Sequence, residues 1–175
     1  MTIPLRVHAL LSVLTGAPLV WEITRVDLSR PASYAFLLCC ALVAAAPWLA
    51  LRFHWSTGVL PAAGGVLGSA GLVLLLDWLP ARPEVVNLPL VQVAGLIAVL
   101  VIVLRDAGPW GAVLGATALT LSAAAAAVAI HQWARVSHHL ATPYPPSVVG
   151  TALLVFGGAL ACGVFLRSGY SAASR

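Results

Sequence analysis

The chain has 175 residues, of which 61% are apolar and only 8% charged. Soluble domains carry roughly a quarter charged residues. The composition therefore excludes an ordinary soluble enzyme, a disordered chain and a disulfide scaffold, and it reads as a multi-pass membrane protein. All nine basic side chains are arginine, and they are scattered singly with no basic run. That distribution argues against a nucleic-acid partner despite the net charge of +4. The Ala, Gly, Pro, Val and Leu bias suggests a GC-rich bacterial genome.

A bilayer core of about 30 Å needs roughly 20 apolar residues per helix. The first such run, residues 7–23, is short and carries His8, Ser12, Thr15 and Pro18. A signal peptide competes for this segment, with Arg6 ahead of the apolar stretch Ala9 to Leu14. No A-x-A site follows, so a retained transmembrane helix is expected. An amphipathic helix lying in the interface is the alternative.

Five stronger runs follow. Residues 33–51 are flanked by Arg30 and Arg52, and residues 57–79 end on Asp77 and Trp78. Residues 88–104 are rich in Val, Ile and Leu. They could form a strand in water, but an isolated strand in lipid would leave its backbone unpaired, so a helix is expected. Residues 110–133 are bounded by Trp110 and Trp133, as interfacial anchors should be. Residues 147–166 follow Pro143, Pro145 and Pro146. Arg52 to Ser56 and Arg105 to Pro109 read as tight hairpins, which force antiparallel neighbours. The expected fold is an all-α, up-and-down bundle of about six transmembrane helices, or five if 7–23 is interfacial. It forms a single domain over residues 1–175, with no internal repeat.

With six spans both termini share one face. That face takes Arg6, Arg52, Arg105, Arg167 and Arg175, against Arg25, Arg30, Arg82 and Arg135 on the other. The short hairpins lie on the first face and most acids on the second. The expectation is an inner-membrane protein with cytoplasmic termini.

The second face gathers the polar groups. Asp77 ends the third span and His131 the fifth. Glu84, His138 and His139 lie in loops on the same side, Glu22 ends the first span, and Asn87 and Gln92 begin the fourth. His131, Arg135 and His138 or His139 form one stripe if the helix continues. Asp77, Glu84, His131, His138 and His139 are thus the candidate metal or proton site, holding a divalent cation or relaying protons. The bland reading is that these groups sit near span ends, where water and headgroups satisfy them, with Asp77 pairing to Arg82. A bis-histidine haem is disfavoured, because the histidines do not face one another on two helices. Cys39, Cys40 and Cys162 sit in apolar runs without CxxC spacing and read as small buried side chains.

Small residues mark packing faces. Gly64, Gly68 and Gly71 form one, Gly111 and Gly115 another, and Gly157 and Gly158 start small-xxx-small pairs in the last span. Each serves either internal packing or docking to partner subunits. Pro47 should kink its helix, whereas Pro61 and Pro89 are expected in first turns, where proline is tolerated. No phosphate loop, GxSxG or HExxH is present. The chain therefore reads as a non-catalytic accessory or structural subunit of a larger membrane complex. Its expected partners are the bilayer and other membrane subunits or further copies of itself. The alternative is a small permease or a metal- or proton-handling protein that uses the His and carboxylate cluster.

Overall fold

The computed structural model describes residues 9–77 and 88–137, and among these every regular element is helical. The chain enters through a helical stretch containing a π-turn, Ser12–Gly16, and continues as α1 (Ala17–Arg25). Then come α2 (Pro31–Arg52), α3 (Trp55–Leu76), α4 (Leu90–Asp106) and α5 (Pro109–Ser137). Each matches an apolar run of the sequence to within a few residues. The run 147–166, with Gly157 and Gly158, lies outside the described residues, as do Glu84, His138 and His139.

Three helices are long and apolar enough to cross a membrane: Pro31–Arg52, Trp55–Leu76 and Pro109–Ala134. The chain is thus all-α with three such helices in its described part. At 17 residues α4 is shorter, a length of about 25 Å.

The centre of the bundle is α4. Eleven of its residues are buried, including Val91, Leu96, Val99, Leu100 and Val103. A helix that is apolar all round belongs in a core rather than on a surface. The earlier helical stretch, α2, α3 and α5 all contact it. The outer faces of the surrounding helices expose Leu10, Val13, Leu38, Leu60, Leu75, Trp110, Leu114 and Leu121. Apolar atoms on this scale outside and inside are what a lipid solvent allows, since tails are as apolar as leucine.

Tight helix contacts need small residues at the crossing points. A Cβ on Gly58 would stand 2.6 Å from Ala46 O and from Ala50 Cβ. On Gly65 it would meet Val43 Cγ2 at 2.6 Å and Cys39 O at 2.7 Å. Gly58, Ala62, Gly65 and Ser69 therefore form the face of α3 that meets α2. The GxxxG of Gly64 and Gly68 lies one position round. Among the described residues, a Cβ on Gly64 or Gly71 has nothing within 4 Å, and one on Gly68 would touch Cys39 Sγ at 3.3 Å. Gly111 and Gly115 do sit at an internal contact, because Trp55 fills the space in front of both.

The prolines behave differently from expectation in one case. Pro89 precedes α4 as its N-cap, but α3 begins at Trp55, which places Pro61 inside the helix rather than in its first turn. Pro47, inside α2, has no N–H for the carbonyl of Val43. That carbonyl faces Gly95 of α4, where a Cβ would lie 2.7 Å from it.

The turns are short and capped. Phe53 and His54 link α2 to α3, and His54 Nδ1 accepts the Ser56 N–H at 3.4 Å. The Thr57 hydroxyl lies 2.6 Å from His54 O and 2.9 Å from Leu49 O, tying the two helices at the corner. Aromatic and arginine pairs sit at helix ends: Arg25 lies 5.5 Å from the Trp21 ring and Arg52 lies 5.9 Å from the Phe53 ring.

Candidate functional site

The polar side chains inside the bundle converge near the start of α4. Gln92, in its first turn, is fully buried, as is Ser69 of α3. The Gln92 Nε2 group donates to Ser69 Oγ at 2.8 Å and approaches Cys40 Sγ of α2 at 3.8 Å. One glutamine amide thus touches two other helices. Ser69 in turn donates its hydroxyl to Val66 O at 2.8 Å. Having used its only proton there, Ser69 can act only as acceptor toward Gln92. In this arrangement the Gln92 amide nitrogen points to Ser69 and its oxygen away from it. Its Oε1 atom is left buried with no hydrogen-bond partner among the described residues.

Glu22 joins this region from α1. It is 2% exposed, and its Oε1 accepts the Leu90 N–H at 3.0 Å. Leu90 is the first residue of α4, so Glu22 satisfies one of the backbone donors that a helix N-terminus leaves open. The carboxylate also sits at the positive end of the α4 dipole, a favourable place for negative charge. The buried face of the first helical stretch, Leu11, Thr15, Glu22 and Val26, delivers it there.

This N-terminus is recessed. Gln92 pairs with Ser69, which lies seven residues before the end of α3, while Gln92 itself is only two residues into α4. At about 1.5 Å per residue, α4 starts roughly 8 Å short of the end of α3. Leu88 and Pro89, just ahead of it, are buried.

A second polar contact lies at the end of α3. Asp77 is its C-cap, in the left-handed conformation with φ 47°. Its Oδ1 accepts the indole N–H of Trp133 on α5 at 2.6 Å. Trp133 is therefore turned inward and buried, unlike Trp110, which is 82% exposed. The sequence marks both as interfacial anchors; only Trp110 stands outward. His131 is buried on α5 two positions before Trp133.

Of the metal candidates, Asp77 and His131 lie among the described residues; Glu84, His138 and His139 do not. Among the described residues no group of three or more His, Cys, Asp or Glu side chains could hold a metal ion. Cys39 and Cys40 are free thiols. His54 is exposed in the α2–α3 corner, and His8 is outside the described residues. What sequence reasoning missed is the partnership of Gln92 with Ser69 and Cys40. The signal is available only in part: the spans put Gln92 and Glu22 on the same face, but nothing in the spacing singles out Ser69 within its glycine-rich span. No family model matches the chain, and no curated protein or solved structure shows significant similarity to it.

Proposed function

We propose that the protein is a multi-pass inner-membrane protein with six spans and cytoplasmic termini. In this reading it serves as a non-catalytic accessory or structural subunit of a larger membrane assembly. The six spans add residues 7–23, 88–104 and 147–166 to the three long apolar helices. The observation that carries the subunit reading is the outer face of α3. Leu60, Gly64, Leu67, Gly71 and Leu74 recur at alternating intervals of four and three, so they share one face. The leucines are exposed, and Gly64 and Gly71 meet nothing among the described residues. Leucine knobs alternating with glycine gaps form a surface suited to close approach of another helix. The test is native mass spectrometry of the detergent-extracted protein. A complex larger than one chain is expected, and Gly64→Leu with Gly71→Leu should dissociate it without lowering thermal stability. A monomeric wild-type protein overturns the reading.

A second reading, a small permease or a metal- or proton-handling protein, is favoured by one feature. Glu22 and Gln92 are polar groups buried inside the helix bundle, and intramembrane polar residues are functional candidates by default. Metal content decides the metal branch. Asp77→Ala and His131→Ala lower bound metal if the His and carboxylate cluster is real, and unchanged content in both removes it.

A further inference from the structure

We propose that the start of α4 is a hydration site, in which a single bound water donates a hydrogen bond to Gln92 Oε1. Three features lead there, and none depends on whether the protein is a subunit or a permease. First, the amide nitrogen is already engaged. Gln92 Nε2 donates to Ser69 Oγ, whose own hydroxyl bonds Val66 O, so the carbonyl oxygen faces away from Ser69. Second, that oxygen is buried without a partner among the described residues, while buried acceptors in folded proteins are almost always satisfied by protein or by ordered water. Third, the oxygen belongs to the first turn of a recessed helix, where the Glu22 carboxylate on the Leu90 N–H makes the surroundings polar.

Val43, Val66, Val91 and Leu96 are fully buried in the same bundle, and its helices approach closely where Gly65 and Gly95 meet Val43. The site makes Gln92 the hub of α2, α3 and α4: the amide nitrogen reaches Ser69 and Cys40, and the carbonyl holds the water. The interior of the bundle is thereby wetted at the start of α4, next to a thiol.

That thiol provides the test. Microsecond X-ray footprinting generates hydroxyl radicals from bound water, and these oxidise side chains beside it. Applied to the intact protein in lipid nanodiscs, it should label Cys40 even though Cys40 is 0% exposed. Gln92→Met removes the acceptor at similar volume and should abolish the label. Ser69→Ala keeps the Gln92 carbonyl and should retain it. If Gln92→Met fails to fold, Gln92→Leu serves the same comparison. Wild-type Cys40 left unlabelled at doses that label Trp110 overturns the proposal. So does equal labelling of Cys40 with and without the Gln92 carbonyl.

Discussion

Trp133 and Asp77, 56 positions apart in the chain, are joined by a 2.6 Å hydrogen bond from indole to carboxylate. The bond closes the end of α3 onto α5. It also explains why an aspartate occupies a position with φ 47°, since Asp and Asn tolerate the left-handed region better than other side chains. Hydrogen bonds to charged groups contribute about 1.5–3 kcal/mol when sheltered, and Asp77 is exposed, so the lower end applies. Trp133→Phe should cost about 1–2 kcal/mol in thermal unfolding of the solubilised protein. Asp77→Asn keeps both the acceptor and the backbone preference and should cost less. Equal loss from both substitutions would mean that charge, not the bond, is what matters.

Two adjacent glycines of α3 should behave in opposite ways. A methyl group on Gly65 lands on Val43 and on the Cys39 carbonyl, and backbone cannot step aside. Gly65→Ala should therefore cost about 1–3 kcal/mol by overpacking. Gly64→Ala meets open space, and removing a helical glycine should raise stability by about 0.5–1 kcal/mol. Parallel melting curves of the two variants check this. The result also bears on function, because a Gly64 substitution that disturbs assembly while leaving the melting point intact locates the contact outside this chain.

That pair shows where sequence reasoning reaches and where it stops. Runs of apolar residues between arginines and prolines were enough to locate α2 through α5, because helix length and hydropathy are local properties. The GxxxG motif at Gly64 and Gly68 was equally visible, yet the α2 contact is one position away, at Gly58 and Gly65. Motif spacing says that a face of small residues exists; which face turns inward depends on the partners that surround it. The polar site was legible to the same extent. Glu22, Gln92 and Asp77 were assigned to one end of the bundle from their places in the spans. That Gln92 would pair with Ser69, and Asp77 with Trp133, is a matter of three-dimensional packing that spacing does not encode.

The loop between α1 and α2 carries a pH-sensitive turn. The Ser29 hydroxyl and N–H both donate to the Asp27 carboxylate, the N–H at 3.0 Å, and Arg30 lies 4.0 Å away. The Ser29 hydroxyl contributes most, and together these hold the Asp27 carboxyl below its ordinary value of 3.8. A carboxyl depressed on folding adds stability fully present above its unfolded value and lost as pH falls through its folded one. The turn should therefore be intact at neutral pH and loosen only below 3.8. Because Asp27 is exposed, the effect on global stability is small, and the carbon NMR signal of its carboxyl is the better readout. Ser29→Ala should move that titration upward toward the ordinary value. A midpoint unmoved by the substitution would show that the hydroxyl does not contribute.

Trp55 should be a sensitive side chain at the opposite end of the bundle, where it packs against the core. It begins α3, and its ring occupies the space in front of Gly111 and Gly115 on α5: added Cβ atoms would lie 2.7 Å and 3.4 Å from it. The ring lies tight against Gly111 and in ordinary contact distance of Gly115, whose added Cβ would be closest to Val103 Cγ1, at 2.7 Å. Trp55→Ala should thus leave a cavity costing about 3–5 kcal/mol, a loss large enough to abolish a marginally stable fold. Gly111→Ala attacks the same contact from the other side, with a methyl group forced against the ring edge, and should cost about 1–3 kcal/mol. Combining Gly111→Ala with Trp55→Leu separates packing from other roles of the tryptophan. If shape complementarity is the whole effect, the smaller leucine accommodates the new methyl group and the double variant is more stable than the sum of the single losses requires. Strict additivity in thermal unfolding would mean that the two positions do not act through this contact.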